Sequence, residues 1–341
     1  MRLCITGGGT GGHLMIAQAL VQAAVSNGHE VIFIGSTYGQ DQNYFAKNSS
    51  FKDVYFLDTT GVVNKKGMDK LKALYKIYKA YKQSKDILKK HKIQATYSVG
   101  GFSAAPASFA SISSFIPFFI HEQNAVAGKL NSILKPFAKR FISAYDEKSP
   151  IKSYPVKDIF FNSSRVRYKI ESVIFLGGSH GAKAINDLAL DLADELSSRG
   201  IKIIHQAGEN DFSRVEEAYK DMGIDVELYS FTDKLSELIA KADFAVSRAG
   251  ASTLWELTAN GCPALFIPYP YAAGDHQYHN AEFVVKNEMG WCEREDEDLK
   301  SKFLEILDDS KYIAQKSKKL LSFAKKDVAS KMIKDIESFV K

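Results

Sequence analysis

Residues 247–256, with the sequence SRAGASTLWE, decide how the second half of the chain folds. They follow the apolar run 244–246, which predicts a buried strand, and lead into a helical pattern that continues to Asn260. Gly250 allows a sharp turn, and the next three residues would present free N–H groups at the start of a helix. Such a helix terminus attracts anions and phosphate in particular. The stretch therefore predicts a βα turn that is suited to an anionic ligand.

Glu256 is expected within the first turn of that helix, and two interpretations of it stay open. Its carboxylate can cap its own helix, which is a common arrangement. It can also accept hydrogen bonds from two vicinal hydroxyls, as on a ribose. Phosphate donors beside a diol acceptor are typical of a nucleotide site, so a nucleotide site and an ordinary capped turn remain alternatives.

A glycine-rich turn opens the chain in the same way. Residues 7–13, GGGTGGH, lie between a short apolar strand and a helical stretch. Gly7, Gly9 and Gly12 satisfy G-x-G-x-x-G, which is the fingerprint of a dinucleotide site. That fingerprint expects an acidic residue at the end of the second strand, and the strand 31–34 is followed by Gly-Ser-Thr instead. The glycines indicate close backbone approach to a bulky polar ligand rather than a redox cofactor.

The alternation of strands and helices runs through the whole chain. Further turns follow predicted strands at 100–106, 121–124 and 177–182, with the sequences GGFSAAP, HEQN and GGSHGA. We expect two doubly wound, Rossmann-like α/β domains with the ligand cleft between them. The first is 1–155, with a C-terminal helix at about 322–341 packing back on it, and the second is 156–321.

The composition and the sequence pattern argue against secreted, membrane-spanning and metal-binding proteins. The chain has 341 residues, a net charge of +5 and three widely spaced cysteines that match no metal or disulfide pattern, so a reducing cytosol fits. The N-terminus is not a signal peptide, and no apolar run is long enough to span a membrane. Asp275, His276 and His279 lie close in sequence, but no third ligand has a convincing spacing, so we expect no metal.

A lysine-rich stretch between Asn64 and Lys92 holds eleven lysines and two aspartates. Leu71, Leu74, Tyr75, Tyr78 and Tyr81 recur in it at helical spacing. The ordinary interpretation is a solvated helix with one stripe that faces the core. The alternative is a basic amphipathic surface for anionic lipid, which we assign from Asp69 to Lys92. No nucleic-acid motif accompanies it, so we expect no nucleic acid.

Four of these motifs, taken together and in order, resemble the MurG family of N-acetylglucosaminyltransferases, which complete lipid II in bacterial cell-wall synthesis. They are residues 8–13, 121–124, 177–182 and 248–256. The resemblance implies a GT-B fold and an inverting transfer of N-acetylglucosamine from UDP-N-acetylglucosamine to the C4 hydroxyl of the muramyl unit of lipid I. It also implies a peripheral protein on the cytoplasmic face of the bacterial inner membrane that requires no cofactor.

The resemblance also implies site residues. Donor contacts fall on Thr10, Gly11, Gly12, Asn124, Lys157, Ser179, Thr232, Ala251, Ser252, Thr253, Leu254, Trp255, Glu256 and Gln277. Acceptor contacts fall on Gly9, His13, Gly100, Gly101 and His121. The family usually has arginine at the position of Lys157, and His180 replaces a usual glutamine.

For the general base we favour His13, with Asp41 and then Glu122 as alternatives. His13 lies at a helix start, which favours neutral imidazole. Its other interpretation is a side chain bonded locally to the backbone. Two further functions stay open. One is a different GT-B enzyme that uses a UDP-sugar, such as an epimerase or a glycolipid synthase. The other is a sugar-nucleotide-binding subunit without activity. The sequence leaves the oligomeric state open.

Overall fold

The computed structural model describes residues 1–62, 65–178, 181–295 and 297–340. The chain divides into two compact units. Unit 1 is Met1–Pro155 together with Asp327–Lys341, and unit 2 is Val156–Lys326.

Unit 1 is built on one parallel sheet, which has six strands within the described residues, in the order β3-β2-β1-β4-β5-β6. The strands are β1 (Arg2–Thr6), β2 (Glu30–Ser36), β3 (Asp53–Leu57), β4 (Ala95–Ser98), β5 (Phe118–Glu122) and β6 (Arg140–Ser143). The helices are α1 (Gly11–Ser26), α2 (Asp41–Phe45), α3 (Gly67–Lys90), α4 (Ala105–Ser113) and α5 (Lys129–Leu134).

Unit 2 repeats this architecture, with the described strand order β12-β11-β10-β7-β8-β9. Its elements are α6 (Asp158–Asn162), β7 (Ser172–Leu176), α7 (Lys183–Ser198), β8 (Lys202–Gln206), α8 (Phe212–Met222), β9 (Glu227–Tyr229), α9 (Leu235–Lys241), β10 (Phe244–Ser247), α10 (Ala251–Asn260), β11 (Ala264–Phe266), α11 (His276–Lys286), β12 (Trp291–Cys292), α12 (Leu299–Asp308) and α13 (Ile313–Phe323).

The central strands form because their side chains are apolar on both faces. Leu3, Cys4 and Ile5 of β1 are fully buried, as is expected for a parallel sheet covered by helices on both sides. Parallel strands also bring their carboxyl ends to one edge of the sheet. The glycine-rich turns of each unit therefore gather at one edge, where α/β proteins place their ligands.

The C-terminal segment differs from the predicted continuous helix. It breaks after α13, at Asp327 with a φ of 60°, and resumes as α14 (Val328–Glu337) in unit 1. His29 Nε2 lies 2.7 Å from Glu337 Oε1, and the ring of Phe339 meets that of Phe119 at 5.5 Å. These contacts hold α14 to unit 1.

The predicted apolar stripe of α3 faces the core only at Tyr81, which is partly buried against it, so that interpretation of the sequence is wrong for the other four residues. Leu71, Leu74, Tyr75 and Tyr78 are 61%, 46%, 68% and 52% exposed. Small side chains pack inward instead, because α3 lies close against α4; the buried residues of α3 are Ala73, Ala80, Ser84 and Leu88. The helix thus presents leucine, tyrosine and lysine to its surroundings. No helix in the described part of the chain is long and apolar enough to cross a bilayer.

Candidate active site

Two glycine turns interlock at the carboxyl edge of unit 1. Gly8 N donates to Gly100 O at 3.0 Å. A Cβ atom at Gly7 would lie 2.4 Å from Gly100 O, and one at Gly101 would lie 2.1 Å from Gly8 O. Both positions also have positive φ, 115° at Gly7 and 80° at Gly101. Only glycine fits here, because the two loops pack backbone against backbone.

Asp41 holds the first glycine turn in place. Its Oδ1 accepts from Gly9 N at 2.5 Å, and its Oδ2 accepts from Ser36 N at 2.9 Å. The side chain has no exposed surface. Burial raises the pKa of Asp41, and the hydrogen bonds from Gly9 and Ser36 oppose that rise. The carboxylate is therefore engaged in organising the loop.

Glu122 organises the turn after β5 in a similar way. It is the last residue of β5 and 3% exposed. It accepts from Asn124 N at 3.0 Å, from Gly128 N at 2.9 Å and from Asn131 Nδ2 at 2.8 Å. Three donors on one carboxylate fix the path of the chain after β5.

His13 lies in the first turn of α1, which begins three residues earlier than the sequence predicted. Its Nδ1 is 2.8 Å from Thr10 Oγ1, and its Nε2 is 3.1 Å from Gln123 Nε2. A Cβ atom at Gly100 would lie 3.3 Å from His13 Nε2, so the imidazole borders both glycine turns. Of the three candidate bases, His13 is the one whose side chain is partly exposed.

His121 sits in the same cluster but is fully buried. Neither of its ring nitrogens makes a hydrogen bond to any residue that the structure describes. Burial lowers the pKa of His121 to about 3, and the charge of nearby His13 acts in the same direction. Its ring meets that of Tyr154 edge-on at 5.6 Å. His121 is therefore a neutral imidazole without access to solvent.

The structure adds two residues that we had not predicted as site residues, Gln123 and Asn131. Gln123 contacts His13, and Asn131 contacts Glu122 and would meet a Cβ atom at Gly100 at 3.1 Å. Gln123 lies inside the HEQN motif, so its polar context was a usable signal. Asn131 lies within α5, seven residues after that motif, and nothing in its local sequence marks it.

In unit 2, the turn after β10 leads into α10 with Gly250 as its N-cap. The first amide with a helical partner is Leu254 N, which donates to Gly250 O at 3.0 Å, so Ala251, Ser252 and Thr253 occupy the first turn. The side chains of Leu254 and Trp255 are 0% and 1% exposed and belong to the core. A ligand at this βα turn can therefore contact the residues of the first helical turn, but not the side chains of Leu254 and Trp255.

Glu256 lies in the second turn of α10, so its predicted first-turn position is wrong and it does not cap the helix. Because Gly250 is the N-cap, Glu256 is the sixth helical residue and out of reach of the first amides. The side chain is half-buried. Burial raises the pKa of Glu256 to about 7, and the charge of Lys157 opposes this.

Neighbouring loops fix the SRAG turn. Arg248 Nη1 donates to the carbonyls of Ile267 and Pro268 at 3.1 and 3.2 Å, and the guanidinium pairs with Glu295. Asn280 of α11 donates to Ala249 O at 3.1 Å. The turn and the start of α11 therefore form one connected edge.

The other residues predicted to contact the UDP-sugar donor lie on different segments of the chain. Gln277 Oε1 accepts from Tyr269 N at 3.0 Å, and Thr232 Oγ1 accepts from Lys234 N at 3.0 Å. Lys157 immediately precedes α6. Ser179 and His180 lie outside the described residues.

The described residues contain no group of three potential metal ligands. His276 Nδ1 is 3.0 Å from Ala273 O, and Asp275 pairs with Arg294 at 3.0 Å. Each of these groups has a local partner.

Two family models match the chain: the glycosyltransferase family 28 N-terminal domain over residues 3–143 and the C-terminal domain over residues 172–332. A relative from Sulfurimonas denitrificans is 66% identical over 98% of both chains, and one from a Sulfurovum species is 49% identical over 98% of both. Each is named a UDP-N-acetylglucosamine–N-acetylmuramyl-(pentapeptide) pyrophosphoryl-undecaprenol N-acetylglucosamine transferase.

Solved structures agree. The crystal structure of Acinetobacter baumannii MurG is 26% identical, covers 99% of both chains and has a TM-score of 0.83. A Staphylococcus aureus MnaA–UDP structure is 12% identical with a TM-score of 0.66, and covers 99% of this chain and 97% of its own, so it shows the fold alone. The predicted GT-B fold of two doubly wound α/β domains is confirmed. The chain belongs to the MurG family of glycosyltransferases.

Proposed function

We propose that this chain transfers N-acetylglucosamine from UDP-N-acetylglucosamine to the C4 hydroxyl of the muramyl unit of lipid I, with inversion at the anomeric carbon, and so forms lipid II. The observation that carries this proposal is the relative that is 66% identical over 98% of both chains, because its name states both donor and acceptor. The choice of hydroxyl and the inversion rest on the resemblance of the motifs to the family.

The donor would be held mainly by unit 2. The amides in the first turn of α10 suit the diphosphate, since a helix N-terminus attracts anions. Glu256 would accept hydrogen bonds from the ribose hydroxyls, and Gln277 and the backbone at Thr232 would hold the rest of the nucleotide. The resemblance also assigns donor contacts to Thr10, Gly11, Gly12, Asn124, Lys157 and Ser179.

The acceptor would lie on the glycine turns of unit 1, with its pyrophosphate against Gly9, Gly100 and Gly101. We assign the general base to His13, because a base must reach its substrate. Asp41 is fully buried and Glu122 is 3% exposed, and backbone amides occupy both carboxylates, whereas His13 is partly exposed. His121, also assigned to the acceptor, would act as buried support since it has no exposed surface.

In this mechanism His13 takes the proton from the muramyl C4 hydroxyl as that oxygen bonds to the anomeric carbon. The bond from the anomeric carbon to the diphosphate breaks at the same time, and UDP leaves with the electron pair. The amides of α10 would stabilise the charge that develops on the leaving diphosphate. The step needs no further cofactor.

We further propose that unit 1 docks on the cytoplasmic face of the inner membrane through the segment from Asp69 to Lys92. The exposed leucines and tyrosines of α3 would enter the interface, and its lysines would meet anionic lipid. Each lysine near such a surface contributes up to roughly 1 kcal/mol, and salt weakens the attraction. Changing Lys72, Lys76 and Lys79 to glutamate should reduce binding to anionic vesicles and leave UDP-N-acetylglucosamine binding intact. Unchanged vesicle binding at low salt would contradict the docking.

The proposed activity is tested by incubating the chain with UDP-N-acetylglucosamine alone, with a short-chain lipid I analogue, and with an unrelated glycolipid. We expect release of UDP only when the lipid I analogue is present. An epimerase would convert the donor without any acceptor, a glycolipid synthase would accept unrelated glycolipids equally well, and a binding subunit would retain the donor without turnover. Each of these outcomes would overturn the proposal.

A further inference from the structure

A cavity of about 600 Å³ lies beside the start of α3 in unit 1. Four lysines line it, namely Lys65, Lys66, Lys72 and Lys76. Asp69 is the acidic residue among the described lining residues. The cavity is therefore strongly basic, and the transfer reaction proposed above does not use it.

Two of these lysines are held in place by neighbouring side chains. Lys76 Nζ lies 2.9 Å from Asp58 Oδ1 and 3.0 Å from the hydroxyl of Tyr38. The hydrogen bond to Tyr38 raises the pKa of Lys76 most, and the hydrogen bond to Asp58 raises it further. Lys65 Nζ donates to Thr60 Oγ1 at 3.2 Å. One wall of the cavity is thus built from positioned ammonium groups rather than from free surface chains.

The other two lysines leave positive charge uncompensated. Lys66 and Lys72 are exposed and make no ion pair with any residue that the structure describes. Even with Asp58 and Asp69 counted as counter-charges, two ammonium groups remain without a partner. Ammonium groups donate to phosphate oxygens in charge-assisted hydrogen bonds. A phosphate group matches this surplus in both charge and hydrogen-bonding capacity.

The position of the cavity on α3 indicates where that phosphate comes from. Successive helical residues are 100° apart, so one exposed stripe of α3 carries four large apolar side chains, Met68, Leu71, Tyr75 and Tyr78. Lys72 and Lys76 lie on the flank between this stripe and the buried Ala73 and Ala80. In a helix that lies in a membrane interface, the apolar face enters the acyl boundary and its flanks reach headgroup level.

We propose that this cavity is a binding pocket for the phosphate of an anionic phospholipid headgroup. The inference rests on the membrane docking proposed above and adds a discrete site to it. One lipid seated between Lys66, Lys72 and the fixed wall at Lys76 sets the depth and rotation of unit 1 on the bilayer. Diffuse attraction between lysines and a charged surface would set neither.

Two double variants separate a pocket from diffuse attraction. Lys66→Gln with Lys72→Gln removes two ammonium groups from the cavity. Lys79→Gln with Lys89→Gln removes two exposed lysines from the same helix outside the cavity and serves as the matched control. Binding is measured by sedimentation with phosphatidylcholine vesicles that contain a minority of phosphatidylglycerol, and thermal unfolding checks that both variants fold.

The pocket predicts that the cavity variant loses at least about ten times more vesicle affinity than the control, because diffuse attraction would cost both variants the same, up to on the order of fivefold per lysine. Restoring charge with Lys66→Arg and Lys72→Arg should recover most of the binding. Equal losses in the two glutamine variants would overturn the pocket and leave the docking intact. A wild-type chain that fails to bind these vesicles would overturn the docking itself.

Discussion

Glu256 should make donor binding release a proton. Its pKa is raised to about 7 by burial in the unliganded protein. A carboxyl that accepts hydrogen bonds from both ribose hydroxyls must be ionised in the complex. At pH 6 a group with that pKa is roughly nine-tenths protonated, and at pH 8 roughly one-tenth. Binding of UDP-N-acetylglucosamine should therefore release close to one proton at pH 6 and almost none at pH 8.

Calorimetry in two buffers with different ionisation enthalpies measures this number directly. Glu256→Gln keeps the size of the side chain but cannot titrate, so it should release no proton at either pH and should bind the donor more weakly. His13→Ala is the matched control, because it removes a titrating group assigned to the acceptor. Equal proton release by the wild-type chain and Glu256→Gln would show that the carboxyl does not meet the ribose.

The same group should cost stability in the unliganded protein. Below pH 4.5 the carboxyl is protonated in both the folded and the unfolded chain, so it makes no difference there. As the pH rises from 4.5 to 7, the carboxyl ionises in the unfolded chain while it stays largely protonated in the folded chain. The unfolded state is thereby favoured, so the free energy of unfolding falls. The pKa of this carboxyl is 4.5 in its ordinary state and about 7 in the folded protein, and this difference lowers the free energy of unfolding by at most about 3 kcal/mol. Glu256→Gln should therefore raise the free energy of unfolding at pH 8 and change it little at pH 4. A pH-independent effect would contradict the raised pKa.

Three further predictions concern unit 1. His13→Ala should lower kcat by about 10²–10⁴-fold and abolish the acid limb of the pH–rate profile, while donor affinity stays nearly unchanged. If the acid limb survives in His13→Ala but disappears in Asp41→Asn, the base is Asp41. Asp41→Asn should destabilise the glycine turn by about 1–3 kcal/mol, because an amide cannot accept from both Gly9 and Ser36 as the carboxylate does, and thermal unfolding measures this. Gly101→Ala should lower the free energy of unfolding by at least about 2 kcal/mol, since its Cβ would lie 2.1 Å from Gly8 O. The control Gly200→Ala has a similar φ of 69° but lies in open space, so it should lower the free energy of unfolding by about 1 kcal/mol. Similar losses in the two variants would refute the interlocked loops.

The sequence predicted the central strands well and missed one edge strand of each sheet. Strands such as β1 and β7 are buried on both faces, so they read as continuous apolar runs. The edge strand β3 has a mixed pattern of burial and β12 has two residues, and neither was predicted. The strand before the turn at 121–124 begins only at Phe118, because Phe115 is 95% exposed at a turn with a φ of 56°.

Helical periodicity identified the faces of α3 but not which of them is buried. Hydrophobicity favoured the leucines and tyrosines, but the helix lies so close to α4 that alanine and serine pack inward. In the site, the glycine turns were visible from the sequence because each follows directly on an apolar strand, although the contacts that demand glycine there join two separate loops. The role of Asp41 was not visible, since it depends on the Gly9 amide, which a separate turn supplies, whereas Glu122 accepts from amides of its own turn and could be expected to organise it.

The anomeric configuration of the product is the sharpest test of the proposed transfer. The chain is incubated with UDP-N-acetylglucosamine, whose sugar is α-linked, and a short-chain lipid I analogue, and the isolated disaccharide is analysed by NMR. We expect a β-linked N-acetylglucosamine on the muramyl C4 oxygen, because attack by that oxygen displaces UDP in one step. An α linkage, or attachment at another hydroxyl, would contradict it.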